Sequence, residues 1–387
     1  MKLLIIGCGQ CGGRLADEFA FMNRRAKTQG GFEVLTNTLA VNTDVADLSG
    51  LRNIKPDNGH RILIGTRRTG GHGVGKLNEL GADLARADGD KVIEAIKQTP
   101  HLAETDAFLL IAGAAGGTGS GSISVLTQLI KERFLDKPVY NMIVLPFRYE
   151  ETTEDRSIFN VGTCLKSSYM AADAVFLVDN QRYLKKTDSI AQNLARINRL
   201  VVKPFFNMLC AGEETNPKYI GSKVLDGGDI IQTLSGWTVI GYGASKVNGK
   251  TGHFLTKSDD EQKGLRAMDE AINNLSVKAD PTEARKALYL LTGSGKDMSM
   301  DLINNLSSTL KSMATEAVIR SGDYPRGTNG VLEVTVVLSE LTNSRKVIDY
   351  FSKTIDYINR ARHRQASANL ENYATGTESF GDIPSFL

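Results

Sequence analysis

Residues 113–121 read GAAGGTGSG, so Gly113, Ala114, Ala115, Gly116, Gly117, Thr118, Gly119, Ser120 and Gly121 combine bare backbone with hydroxyl donors. Glycine permits positive φ and lets backbone N–H groups come close to an anion. The apolar stretch 107–112 before the run reads as a strand, and 122–133 after it reads as a helix. A glycine turn between a strand and a helix is a place for phosphate, because the positive end of the helix dipole and its unpaired N–H groups both face it. Two more runs have the same character: GCGQCGG at 7–13, with Gly9, Gln10, Cys11 and Gly12, and GTRRTGGHGVG at 65–75, with Gly70 and Gly71. Any one of them alone could be a flexible turn. Three on one rim suit a triphosphate better than a dinucleotide, since three phosphates need more donors to replace their water.

Other motif readings are weaker. Gly7-x-Gly9-x-x-Gly12 fits a dinucleotide fingerprint with Asp44 as the ribose carboxylate, although Asp44 lies beyond the usual spacing of about 20 residues. An NAD-dependent oxidoreductase is thus an alternative, but it leaves GAAGGTGSG without a task. Gly70-x-x-x-x-Gly75-Lys76 approaches a Walker A motif, yet Leu77 stands where a magnesium-holding Ser or Thr belongs, and Lys76 is expected as an exposed charge at a helix start. Cys8 and Cys11 are spaced as CxxC within a glycine turn, with no second Cys or His pair to complete a metal site, so no protein-built metal site is expected.

The elements that position these loops alternate strand and helix. Strands are expected at 2–6, 36–41, 61–64, 107–112 and 139–145, and helices at 14–26, 88–98 and 122–133. That alternation implies a Rossmann-like α/β domain with a parallel sheet, whose ligands collect at the carboxyl ends of the strands. A long helix over 189–209 contains Pro204 and should kink there. The second half reads as α+β: strands at 236–243, 287–293 and 331–338, and helices at 259–275 and 300–313. With 387 residues, 41% hydrophobic, two domains are the natural expectation. A net charge of +2, from 46 basic and 44 acidic residues, argues against nucleic acid as a partner. No apolar run approaches the roughly 20 residues that cross a bilayer, and the chain is expected to be cytoplasmic.

Several motifs together resemble the tubulin/FtsZ superfamily: GQCGG at 9–13, NTD at 42–44, GAAGGTGSG at 113–121, PFRYE at 146–150, VDN at 178–180 and RINRL at 196–200. The blend is most like a CetZ or other prokaryotic FtsZ-like paralogue. The resemblance implies a GTP/GDP site with Mg2+, formed by the glycine loops with Arg14, Asn42 and Asp44, with Glu150 facing the ribose and Asn180 and Asn198 reading guanine. An Asn amide can donate to O6 and accept from N1–H or N2–H, so adenine would leave buried groups unpaired. Arg156 is the nearest candidate for a displaced family arginine. Asp226 and Asp229 match the acidic pair of a loop that reaches the nucleotide of the next subunit, with Val224 in place of the family's asparagine.

The implied organisation is a GTP-binding domain over 1–187, a central helix over 188–212, a catalytic loop region over 213–233, an α+β domain over 234–360 and a polar flexible tail over 361–387. The tail ends in DIPSFL. Asp382, Ile383, Pro384, Phe386 and Leu387 resemble a peptide that docks FtsZ on membrane-tethering partners, with no direct membrane insertion. The expected function is a cytoskeletal GTPase that assembles head to tail for cell shape or division. A nucleotide-binding scaffold without hydrolysis is the alternative that Val224 favours.

Overall fold

A computed structural model describes residues 1–185, 187–246, 257–326, 330–368 and 384–385. In it the strands are β1 (Leu3–Cys8), β2 (Leu35–Asn42), β3 (Arg61–Leu63), β4 (Ala107–Gly113), β5 (Val139–Leu145), β6 (Ala174–Asp179), β7 (Gly236–Lys246), β8 (Ala284–Gly293), β9 (Val318–Pro325) and β10 (Val331–Leu341). Every residue of β1, β5 and β6 is buried. Their largely apolar runs, broken by Asn141 in β5 and ended by Asp179 in β6, are what a parallel sheet covered on both faces demands.

The strands form one sheet in the order β3-β2-β1-β4-β5-β6-β7-β10-β8-β9. Pairing is parallel from β3 to β7, antiparallel on both sides of β10, and parallel again between β8 and β9. The winding reverses at β1, with β2 and β3 on one side and β4 to β6 on the other. A crevice must therefore open over the carboxyl ends of β1 and β4. Only three residue pairs, Ala174↔Gly236, Val175↔Trp237 and Phe176↔Thr238, join the two halves of the sheet at β6 and β7.

Helices Gly9–Gly30 and Thr118–Arg133 leave β1 and β4. The second begins earlier than its apolar pattern suggested, because Gly119 and Gly121 occupy its first turn. The helix Asn78–Lys97 likewise starts ten residues before 88. Glycine is a poor helix former, but a Cβ on Gly81 would come 2.5 Å from the Gly117 carbonyl oxygen and one on Gly121 would come 2.0 Å from that of Asn78. The two helices touch through their backbones.

The central helix Ile190–Ala211 opens on a capping box: Ser189 Oγ accepts from Gln192 N and Gln192 Oε1 accepts from Ser189 N. It continues on both sides of the buried Pro204. Phe205 is fully buried, edge-on to Phe19 at 5.8 Å and to Phe176 at 5.0 Å between ring centroids. One side chain thus ties the helix to both β1's helix and β6.

Two elements escape the sequence pattern. β9, VIRSGDYP, holds Gly322, Asp323 and Pro325, residues depleted in strands, but it is the last strand of the sheet, where Pro is tolerated. The final helix, Arg345–Ala368, corrects the expectation of a polar linker from 361. Ala361, Arg362, Gln365, Ala366 and Ala368 are good helix formers by residue type. This helix packs back on Asp155–Ala171, where Thr354 Oγ1 donates to Ile158 O at 3.1 Å and Phe159 meets Tyr357 at 5.6 Å. Of the terminal DIPSFL, Asp382, Ile383, Phe386 and Leu387 lie outside the described residues. Pro384 is exposed, and Ser385 Oγ lies 3.4 Å from Ser167 Oγ.

Replacing Phe205→Ala should cost about 3–5 kcal/mol, because a cavity opens between three elements. Denaturant unfolding should show a lower midpoint at unchanged slope; a loss under about 1 kcal/mol would mean that the helix is not anchored there.

Candidate functional site

A cleft of about 430 Å³ opens where the winding reverses, over the carboxyl ends of β1 and β4. Its floor is made by two glycine loops in contact. Gly9 has φ +70°, a Cβ on it would come 2.8 Å from Gly119 N, and one on Gly119 would come 2.7 Å from Cys8 O. Any side chain at either position would force the loops apart.

Both long helices that begin at this floor are uncapped. Neither Cys8 nor Gly117, their N-cap residues, supplies a side-chain acceptor, and neither first turn carries an acidic residue. Two helix N-termini thus converge with free N–H groups and unneutralised positive ends, an arrangement that attracts phosphate. Asn160, fully buried, strengthens the effect. Its Nδ2 donates to the carbonyls of Lys76, Ala115 and Gly116 at 2.9, 3.0 and 3.1 Å. Those carbonyls are drawn back into the protein, away from an incoming anion.

The wall beside β2 is polar and pre-set. Asn42 Oδ1 accepts from Thr43 N at 2.8 Å, and Asn42 Nδ2 and Gln10 Nε2 donate to the two oxygens of Asp47 at 3.1 and 2.7 Å. Asp44 caps Val45–Ser49 by accepting from Asp47 N, and the hydroxyls of Thr43 and Thr118 lie 2.6 Å apart. The 65–75 loop is strapped to this wall by Gly73 N donating to Thr43 O and Val45 N donating to Gly71 O. Two carboxylates, Asp44 and Asp47, therefore edge an anion cradle, but among the described residues no three His, Cys, Asp or Glu side chains converge as a metal site.

The opposite end of the cleft is partly apolar. Phe147 and Tyr149 stack at 5.5 Å with 13° between their planes, and Leu194 and Asn198 face in from successive turns of the central helix. Glu150 Oε2 accepts from Phe147 N at 2.8 Å. Asn180 opens the turn after β6, is 8% exposed, and its Oδ1 accepts no hydrogen bond. A buried amide oxygen without a donor is a cost unless a ligand supplies one, and Asn180 is among the residues that line the cleft.

The cleft brings together most of the sequence candidates: Gly9, Gln10, Cys11 and Arg14; Asn42 and Asp44; Gly113, Ala115, Gly116, Gly117, Thr118 and Gly119; and Glu150, Asn180 and Asn198. Others do not line it. Gly12 is pressed on Ile111, where a Cβ would come 1.9 Å from the carbonyl oxygen, and Gly121 is pressed on Asn78. Ala114 is buried with its N–H on Val144 O, and Ser120 Oγ turns back to Gly116 O. Gly70 and Gly71 shape the strap with φ of +62° and +83°. Arg156 is held away by Glu79, by Asn78 Oδ1 at 3.3 Å and by the Phe159 ring at 4.7 Å. Sequence reasoning missed Asp47, Gly73, Lys76, Tyr149, Leu194 and Asn160. Lys76 directly precedes Leu77, the N-cap of Asn78–Lys97, as a partly exposed charge, and it also lines the cleft with φ +63° and pairs with Glu154. Tyr149 and Leu194 had a signal, lying next to Glu150 and one turn before Asn198.

Asp226 and Asp229 stand elsewhere. Asp226 caps Gly227–Thr233, and Gly227 lies against Met1 at the start of β1, whereas the cleft is at the end of β1. Six extended residues put roughly 20 Å between the two places. Asp226 is exposed, with Oδ1 accepting from Asp229 N at 2.8 Å; Asp229 pairs with Arg320 at 3.3 Å.

Comparison with known proteins follows the same two halves. Residues 2–188 match the Tubulin/FtsZ family GTPase domain, and residues 187–356 match the C-terminal domain of tubulin-like CetZ. The chain is 30% identical over 368 residues to tubulin-like protein CetZ1 of Haloferax volcanii, with 90% of each chain covered. It is 26% identical over 392 residues to tubulin-like protein CetZ of Pyrococcus abyssi, covering 99% of this chain and 98% of that one. Among solved structures, CetZ2 from Haloferax volcanii as a GTPgS-bound protofilament aligns with TM-score 0.81 and 28% identity, covering 94% of this chain and 100% of that one. The GDP-bound CetZ1 monomer from Haloferax volcanii aligns with TM-score 0.80 and 29% identity, covering 92% and 99%.

Cys8 and Cys11 line the cleft, while Cys164 and Cys210 do not. Burial pushes Cys8, Cys11, Cys164 and Cys210 each up to about 12, and Glu150 adds to the effect at Cys11. At pH 8 the thiolate fraction is then on the order of a thousandfold below that of an ordinary cysteine. Alkylation of the native protein by iodoacetamide should be correspondingly slow at pH 8 and accelerate as pH rises; fast labelling of Cys11 near neutrality would contradict this.

Proposed function

Because this chain belongs to the tubulin/FtsZ family and carries a CetZ-type C-terminal domain, we propose that it is a GTPase of the cytoskeleton that assembles head to tail and hydrolyses GTP between subunits. The observation that carries this reading is the placement of two half-sites at opposite ends of β1: an anion cradle with a base pocket at one, and the exposed Asp226 at the other. One molecule cannot bring them together. Two molecules related by translation along β1 can, and such a heterologous contact repeats without closing.

The surfaces around the half-sites fit that contact. Val45, Leu77 and Tyr149 expose apolar side chains beside the cleft, and Ile220 and Val224 do so beside Asp226. Apolar groups exposed at both poles of one chain are what a self-contact would cover. In this reading the triphosphate lies on the two uncapped helices, Asn180 Oδ1 accepts from the guanine edge, and Glu150 meets the ribose. Asp44 and Asp47 would hold Mg2+ together with phosphate oxygens, and the ion would supply charge neutralisation. Asp226 of the next subunit then orients the attacking water.

A non-hydrolysing scaffold is the second reading, favoured by Val224, which puts a branched apolar side chain, 44% exposed, where the family has an amide. A role in cell shape or division within the cytoplasm, and docking of a membrane-tethering partner on the DIPSFL tail, are proposals from sequence resemblance.

One experiment separates the readings: sedimentation with GTP, GDP and a slowly hydrolysed analogue, with phosphate release followed alongside. The proposed GTPase pellets with GTP and releases phosphate more slowly per molecule on dilution; the scaffold pellets and releases none. Asp226→Ala should keep GTP binding, lose nearly all turnover and lengthen filaments, and unchanged turnover would remove Asp226 from the chemistry. Asn180→Ala should weaken GTP binding by about tenfold or more while leaving ATP binding and thermal stability unaffected, since the acceptor it deletes has no partner in the protein. Equal loss for both nucleotides would take Asn180 out of base reading.

A further inference from the structure

The segment that delivers Asp226 is an irregular stretch over 220–226, between the turn Pro217–Tyr219 and the helix Gly227–Thr233. A loop without regular hydrogen bonding would hold a catalytic carboxylate poorly. This one is bound along its length to β9. Asp323, 4% exposed, accepts from Ser222 N at 2.9 Å through Oδ2 and from Lys223 N at 2.5 Å through Oδ1. Its own backbone N–H donates to Lys223 O at 3.0 Å. Lys223 Nζ donates to Ser321 Oγ at 2.5 Å.

Packing closes the same joint. Leu225 is fully buried, and a Cβ on Gly322 would come 2.7 Å from Leu225 Cβ. On the other side, Gly212 at the end of the central helix admits Leu225 O, which would lie 2.6 Å from an added Cβ. The strand also reaches past the loop: Arg320 pairs with Asp229 and donates to Gln232 Oε1 at 2.6 Å. The two acidic residues are therefore unequal. Asp229 is committed to Arg320 in the single chain, whereas Asp226 spends only Oδ1 on its cap and is otherwise exposed.

We propose that Asp323 is a positioning residue for hydrolysis, its carboxylate clamping the amides of Ser222 and Lys223 so that Asp226 is presented to the neighbouring subunit in a set orientation. This rests on the reading in which Asp226 acts in trans. A carboxylate with two amides on its two oxygens holds a backbone segment against rotation as well as displacement. Orientation is what the reaction requires, because a misplacement of about 1 Å can cost about a hundredfold in rate.

The test is Asp323→Asn, which turns one acceptor into a donor facing an N–H. GTP affinity of the dilute monomer, followed with a fluorescent nucleotide, should stay within about twofold, while turnover per assembled subunit falls at least about tenfold. In copolymers with the unaltered chain, turnover should fall in proportion to the fraction of variant in the pellet, as it does for Asp226→Ala; a mere folding defect would instead exclude the variant from the pellet. Full turnover in Asp323→Asn beside a dead Asp226→Ala overturns the clamp and leaves the interfacial reading standing. Full turnover in both overturns the interfacial reading itself. Should Asp323→Asn fail to fold, amide exchange of the unaltered monomer decides: protected N–H groups at Ser222 and Lys223 support the clamp, and free exchange there overturns it.

Discussion

The contact between Gly9 and Gly119 sets the distance on which the cleft depends. With no side chain at either position, two loops meet at backbone separation, and the helices Gly9–Gly30 and Thr118–Arg133 start close enough to offer their N–H groups to one anion. The field of each helix falls off within about its first turn, so a wedge of one methyl group would turn one strong site into two weak ones. Asn160 serves the same end from behind, taking up three carbonyls that would otherwise repel phosphate.

The cleft is also tied to the far half of the molecule. Tyr350 of the last helix donates to Glu151 Oε1 at 2.5 Å, and Lys346 lies 3.4 Å from Asp179. Glu151 follows Glu150 and Asp179 precedes Asn180, so a helix from the C-terminal lobe braces the neighbours of two residues that line the cleft. The central helix makes a second tie. It presents Leu194 and Asn198 to the cleft and ends at Gly212 against the loop that carries Asp226. A helix of 22 residues thus runs between the cleft and the loop of Asp226.

How much of this could be read in the sequence depended on whether a residue's task was local. β5 matched its apolar run residue for residue, and the glycine loops were found because glycine before a helix has few other uses. Helix starts were misread at Asn78 and Thr118, since Gly81 and Gly121 look like breakers until the partner backbone they admit is in place. β9 was invisible because its Gly322 and Asp323 serve the adjoining loop rather than strand propensity. Arg156 was misplaced and Asn160 missed for one reason: both lie on the helix Asp155–Ala171, and only tertiary packing decides that Arg156 turns to Glu79 and Asn160 to the glycine loop over 113–121. The proposed guanine-reading role of Asn180 and Asn198 came from motif resemblance, and the partnerless oxygen of Asn180 is an observation in its favour that no spacing rule contains.

The separation of Asp226 from the cleft along β1 bears on how such a chain can diverge. In the proposed filament both faces of every junction are encoded once, so a substitution near Val224 meets the same inherited Val45, Leu77 and Tyr149 in each neighbour. Compensation must arise at the far end of the same polypeptide, in residues that never touch the altered one within a single molecule. The two poles would be inherited as a matched pair. Duplicated copies whose poles drift apart would stop mixing in one filament well before either lost its fold, and a single ancestral polymer could in this way become several that ignore one another.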